Sequence, residues 1–298
     1  MAADLHGVLV ALATPFATDG GVDHDRLRSL VDRTIDGGVH GVVACGSTGE
    51  FSALTLDERR AVVETVVDQA AHRVPVVAQT GSTSTAEAIR LSRHAQSVGA
   101  DVVMPVAPFY EALSLAETTT YLRRVAGAVE ISVMLYNLPA ATGFDLSADT
   151  VASLARDVEN IRYVKNTTAD MGQAAQLIHH YGDLVGTFVG WDSLILSSLV
   201  SGAAGVMAGT ANVVPAEIVA VYDAVTAGDL DAARRAWARI YPLLDAALSV
   251  NYVAAVKVAL EAAGFPAGPT REPVLPLDPA DAAHIAGLAA ALSPQPVA

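Results

Sequence analysis

Ile161-Arg162-Tyr163-Val164-Lys165 is a short run of β-branched and aromatic residues, interrupted by Arg162, that closes on a lysine. It has the length and composition of a strand, and its near-continuous apolar character suits a parallel strand covered on both faces. Runs of the same kind stand at Val8 to Ala13, Val39 to Ala44, Val74 to Ala78, Asp101 to Val106, Ile131 to Tyr136, Val185 to Val189 and Ala204 to Met207. Between them lie longer segments of helical period. Thr55 with Glu58, Ser84 with Glu87 and Ser114 with Glu117 have capping-box spacing at helix starts. Gly37-Gly38 and Gly99 mark helix ends. Eight strands alternating with helices predict a (β/α)₈ TIM barrel, with an open doubly wound sheet as the alternative. From about Pro215 no further strand is expected, and the chain turns alanine-rich and helical before Pro- and Gly-rich loops around Gly264 to Pro279. The expected organisation is a barrel over residues 1–222 carrying the active site and a C-terminal helical region over 223–298 packed on it. No Ser/Gly linker divides the two.

Composition narrows the partners. Just over half of the 298 residues are apolar and the formal net charge is −14, with no Lys/Arg run to meet phosphate. Nucleic acid and anionic membrane surfaces are therefore not expected partners. The single cysteine, Cys45, allows neither an intrachain disulfide nor a multi-cysteine zinc site and fits a reducing compartment. Met1-Ala2-Ala3-Asp4-Leu5-His6 lacks the basic flank and apolar run of a signal peptide, and no segment reads as a membrane span. A cytoplasmic protein is expected. No histidine pair has a spacing that demands a metal, and no metal or cofactor is expected.

The lysines are more informative. Only two occur, Lys165 and Lys257, against sixteen arginines. A lysine retained in an apolar strand suggests work that arginine cannot do: losing a proton and attacking a carbonyl. The alternative is a lysine snorkelling from a strand end to solvent. A free lysine amine has a pKa near ~10.4 and is almost wholly protonated at neutral pH, so a nucleophilic one needs apolar surroundings. In a barrel the working groups lie at the C-terminal ends of strands. Strand five ends in Tyr136-Asn137-Leu138-Pro139 and strand six at Lys165, which puts a tyrosine and a lysine at one level of the mouth. There the Tyr136 hydroxyl could exchange a proton with a substrate oxygen, or could be an ordinary core phenol. After strand two, Cys45-Gly46-Ser47-Thr48-Gly49-Glu50 offers backbone N–H groups and two hydroxyls to an anion, or is a plain βα turn. A lysine imine beside a proton donor would stabilise a carbanion on the adjacent carbon and so make or break a carbon–carbon bond. Lys257 lies in a segment of helical period and is expected to snorkel or to pair with an acid.

Six pieces in register resemble the dihydrodipicolinate synthase and N-acetylneuraminate lyase superfamily: Gly7 to Phe16, Gly46 to Glu50, Pro108-Phe109-Tyr110, Tyr136 to Pro139 with Thr142-Gly143, Val164-Lys165, and Gly205-Val206-Met207 with Thr210-Ala211-Asn212. The resemblance covers about the whole chain. It implies a class I aldolase that handles pyruvate or another 2-oxo acid together with an aldehyde, assembled as a homotetramer of two tight dimers. It makes Lys165 the Schiff-base lysine and Tyr136 the proton relay, with Ser47 and Thr48 binding the 2-oxo acid carboxylate. Tyr110 resembles the tyrosine that reaches into a neighbouring subunit and completes the relay with Ser47. Met207 and Gly190 would line the pyruvate pocket.

Two departures bear on the substrate. Dihydrodipicolinate synthases carry an arginine two residues after the proline of the Tyr-Asn-x-Pro motif, and here that place is Ala141. Loss of a charge-assisted hydrogen bond to the aspartate semialdehyde carboxylate costs about 2–3 kcal/mol. Sialic acid lyases follow their Gly-Tyr-Asp segment with a glutamate, whereas this chain reads Gly190-Trp191-Asp192-Ser193. Ala141 and Asp192 look closer to aldolases of 2-keto-3-deoxy sugar acids, including hydratase and dehydratase variants. The expected substrate is such an acid. The alternatives are 4-hydroxy-tetrahydrodipicolinate synthase and a non-catalytic barrel that binds a 2-oxo acid as a sensor.

Overall fold

The structure, a computed structural model, describes residues 5–292. The first four residues of the leader reading and the last six of the C-terminal region lie outside the described residues. Eight parallel strands close on themselves: β1 (Gly7–Ala11), β2 (Gly41–Ala44), β3 (Val76–Gln79), β4 (Val102–Met104), β5 (Ser132–Asn137), β6 (Ile161–Asn166), β7 (Gly186–Val189) and β8 (Gly205–Ala208). Each pairs with the next, and β8 pairs with β1 through Gly7 opposite Gly205 and Leu9 opposite Met207. The fold is a (β/α)₈ TIM barrel, as the eight runs predict. Strand ends differ from the sequence reading by one or two residues at most places, because the apolar runs continue into the loops that seal the barrel.

The runs read as continuous because the two faces of each strand serve two different cores. Val8, Val10, Val42, Val103, Val133, Leu135 and Val164 point outward into the layer between sheet and helices. Leu9, Val43, Val77, Met104, Met134, Tyr163, Phe188 and Met207 fill the barrel interior. Period-two alternation is therefore present in direction and absent in polarity. Along β6 this puts Tyr163 and Lys165 inside and Val164 outside, so the strand that sets the fold also aims the amine.

Two of the three expected capping boxes form. Thr55 and Glu58 cap the helix Leu56–Ala70, and Ser114 and Glu117 cap Leu115–Ala126, each with reciprocal hydrogen bonds. Ser84 precedes the helix Thr85–Ser97 but makes no side-chain cap. Its partner Glu87 is taken instead by the guanidinium groups of Arg90 and Arg60. A charge-assisted bond to arginine outcompetes a neutral backbone N–H for that carboxylate.

After β8 come the helices Pro215–Thr226, Leu230–Leu248, Tyr252–Ala262 and Pro279–Leu292. No strand follows β8 among the described residues. Among the same residues, no helix is long and apolar enough to cross a membrane.

Candidate active site

The C-terminal mouth of the barrel is shaped by hydrogen bonds that fix the strand ends. Asn212 donates its amide to Ala11 O (2.7 Å) and Gly209 O (2.6 Å) and accepts from Ala13 N (3.1 Å), tying β1 to the loop after β8. Asn137 donates to Asp145 Oδ1 (2.8 Å) and Leu146 O (3.2 Å) and accepts from Leu146 N (3.0 Å), which anchors the end of β5. Both asparagines belong to motifs quoted above, and their work is to hold loops rather than to meet a ligand.

These anchors bound a cavity of about 240 Å³ at the mouth. It is lined by Ala11, Ser47, Thr48, Tyr136, Leu138, Lys165, Thr167, Gly190, Trp191, Asp192, Met207, Gly209, Leu248 and Tyr252. Seven of the nine expected site residues are there: Ser47, Thr48, Tyr136, Lys165, Gly190, Asp192 and Met207. Tyr110 is 85% exposed and does not line the cavity of its own chain. Ala141 is exposed on the short helix Pro139–Thr142 and also lies off the lining.

Within the cavity Tyr136 and Lys165 are register partners on β5 and β6. The lysine Nζ rests 4.2 Å from the centroid of the tyrosine ring. Tyr136 Oη lies 3.2 Å from Ser47 Oγ, so phenol and hydroxyl share a hydrogen bond beside the amine. Lys165 is buried, with 5% of its surface exposed, and no carboxylate pairs with it among the described residues. Snorkelling to open solvent is thus not what this lysine does. Gly190 explains how the stem fits. A Cβ at that position would lie 2.5 Å from Lys165 Cε and 2.4 Å from Thr167 Oγ1, so only glycine leaves room for the lysine to run past β7.

Asp192 is buried rather than facing solvent. Its Oδ2 accepts from Tyr252 Oη (2.6 Å), Thr210 N (3.0 Å) and the Thr210 hydroxyl. Burial, reinforced by the Asp192 charge, pushes the Tyr252 phenol well above its usual range, so Tyr252 remains a donor. Gly209 is the slot through which it enters, since a Cβ there would stand 2.5 Å from Tyr252 Oη and 2.9 Å from Thr48 Oγ1.

Four wall residues stand outside the motifs quoted above: Thr167, Gly209, Leu248 and Tyr252. Thr167 carries a buried Oγ1 with no hydrogen-bond partner among the described residues. Its signal was available, because it stands two residues beyond Lys165 and so shares its face. Leu248 and Tyr252 come from the C-terminal helices, and no local pattern links them to a barrel mouth.

Known proteins similar to this chain match it over nearly its whole length. The model of the Dihydrodipicolinate synthetase family matches residues 4–291. A 4-hydroxy-tetrahydrodipicolinate synthase of Pelobacter propionicus is 39% identical over 279 residues, covering 94% of this chain and 96% of that one. An uncharacterised DapA-like lyase of Halobacterium salinarum is 39% identical over 282 residues, covering 94% and 92%. Among solved structures, a prophage protein of the dihydrodipicolinic acid synthase family from E. coli K12, in complex with pyruvate, superposes with a TM-score of 0.92 at 31% identity, covering 97% of this chain and 99% of that one.

Proposed function

Because this chain belongs to the dihydrodipicolinate synthetase family and is a lyase of the aldolase type, we propose that Lys165 forms an imine with a 2-oxo acid and that the enzyme cleaves or builds a 2-keto-3-deoxy sugar acid. Enzyme status sets the sensor reading aside. In the proposed cycle the Lys165 amine adds to the C2 carbonyl of pyruvate and water leaves. Loss of a proton from C3 gives an enamine, that carbon attacks the aldehyde, and water then hydrolyses the product imine to free the Lys165 amine; cleavage runs the same steps in reverse. Tyr136 and Ser47 pass the protons that the carbinolamine and the aldehyde oxygen exchange. Ser47 and Thr48 hold the carboxylate.

One observation carries the choice of substrate. Among the described residues that line the cavity, Lys165 is the only basic side chain, and the imine takes it up. A second carboxylate, such as that of aspartate semialdehyde, would be buried without a positive partner, which is costly. A neutral hydroxylated aldehyde needs only hydroxyl and carboxylate partners, and Thr167 Oγ1 has no hydrogen-bond partner among the described residues. A second reading, 4-hydroxy-tetrahydrodipicolinate synthase, is favoured by relatives of that name such as the Pelobacter propionicus protein. Cleavage of 2-keto-3-deoxygluconate compared with condensation of pyruvate and aspartate semialdehyde separates them. We expect the first to dominate in kcat/KM; a low KM for aspartate semialdehyde would overturn the choice.

The same reading makes the protein a cytoplasmic homotetramer in which Tyr110, exposed on its own chain, completes the relay of a neighbouring copy. It assigns residues 1–222 to the barrel and 223–298 to a C-terminal region that adds Leu248 and Tyr252 to the wall. Dissociating the assembly should then lower activity, and a fully active monomer would remove Tyr110 from the site.

A further inference from the structure

The loop Gly46–Glu50 carries Ser47 and Thr48 into the cavity, yet its last residue does not line it. The loop is closed by Gly49 N donating to Gly46 O (3.0 Å) and Glu50 N donating to Ser47 O (3.0 Å). Thr14 Oγ1, in the loop after β1, fastens it by donating to Gly49 O (2.7 Å). Glu50 itself sits at φ 55, ψ 37, a left-handed conformation that a residue with a side chain occupies only when something holds it there. What holds it comes from the far end of the chain. Lys257 Nζ, on the helix Tyr252–Ala262, stands 2.7 Å from Glu50 Oε1, and Arg271 N donates to Glu50 Oε2 (2.9 Å). Lys257 is fixed in turn by donating to Pro269 O (2.7 Å) and by resting 4.2 Å from the Phe16 ring centroid. Both side chains of the pair are 4% exposed.

We propose that Glu50 and Lys257 are positioning residues: a buried ion pair through which the C-terminal helices hold Ser47 and Thr48 in the geometry that receives a 2-oxo acid carboxylate. The inference rests on the role given to Ser47 and Thr48 above. Only Gly49 separates Glu50 from Thr48, and glycine resists few movements, so a released Glu50 can relax toward right-handed backbone and carry Thr48 with it. A buried pair is a poor source of stability but a strict constraint on where its two backbones sit, because either charge left alone in the interior is strongly disfavoured.

The test uses the full-length protein with Glu50→Gln and, since a lone buried ammonium can prevent folding, the double variant Glu50→Gln/Lys257→Met. Two readouts are taken. The first is the pyruvate concentration giving half-maximal borohydride-trapped adduct at Lys165. We expect it to rise about tenfold in each folded variant with the same adduct yield at saturation, a weakened affinity without loss of the nucleophile. The second is amide hydrogen exchange of residues 46–50 without ligand, expected to quicken in the variants while strands β4 to β6 keep wild-type protection. A folded double variant with wild-type half-saturation and wild-type exchange in the loop would overturn the proposal. If the unaltered protein forms no adduct at any pyruvate concentration, the imine reading fails by itself, and the exchange measurement alone decides on the tether.

Discussion

The two lysines are almost equally buried, 5% and 4% exposed, and their surroundings are opposite. Lys257 is held by a carboxylate, a carbonyl oxygen and the Phe16 ring. Burial holds its amine below the ordinary lysine value, and the Glu50 charge pulls the other way. Lys165 has the Tyr136 ring beside it, an open cavity in front of it and no ion pair among the described residues. Burial alone therefore does not mark a nucleophile. What sets Lys165 apart from Lys257 is that its nitrogen faces space a ligand can enter, with the Tyr136 and Ser47 hydroxyls in the same wall.

The sharpest way to break this contrast is to exchange the roles. Lys165→Arg keeps the charge and cannot form an imine, so turnover and the borohydride adduct should both vanish while the protein remains folded. Measurable turnover by that variant would remove the mechanism. Lys257→Met leaves Glu50 without its cation, and thermal or denaturant unfolding should report a loss of about 3–5 kcal/mol. Adduct should still form at Lys165 when pyruvate is saturating, and its absence there would show that the two lysines do not have separable work. Gly190→Ala presses on the Lys165 stem without touching Lys257. An added methyl at 2.5 Å from Cε should slow adduct formation and cost about 1–3 kcal/mol by overpacking. An unchanged trapping rate would mean that the stem has room that the structure denies it.

The smallest effect concerns the ion pair beside Lys257. The Arg271 guanidinium binds Glu58 and holds its carboxyl down at about 2 from the ordinary 4.5. Since the folded value lies below the unfolded one, the stabilisation is whole above about pH 4.5 and drains away as the pH falls to about 2. The pair is partly exposed, and solvent screening leaves it worth about 1–2 kcal/mol. Glu58→Gln should remove that much at pH 7 and flatten the acid limb of stability over the same window, measured by urea midpoints across pH. An unaltered acid limb would place the pH dependence elsewhere.

Much of this was legible in the sequence, for a definite reason. In a closed parallel barrel every strand is apolar on both faces, so Ile161 to Lys165 announces itself without help from distant residues. The same run ends on a lysine that the strand buries while its other cation, Arg162, is exposed, and the pairing of β5 with β6 follows from chain order, which put Tyr136 opposite Lys165. The Ser84–Glu87 box misled because spacing describes what a carboxylate can reach locally and is silent about Arg60, which comes from another helix. Glu50 stood inside a motif that reads as a binding loop, but its partner is 207 positions away in Lys257, and no periodicity connects them. Tyr252 escaped for the same reason, its contact with Asp192 being a matter of how the last helices dock rather than of any pattern within them.

That docking has a bearing on how the enzyme can change its diet. The strands that aim Lys165 and Tyr136 share a continuous hydrogen-bonded cylinder, in which one altered residue disturbs two neighbours. Leu248 and Tyr252 belong to helices outside that cylinder, so mutation can recontour one side of the chamber while leaving Lys165 and Tyr136 untouched.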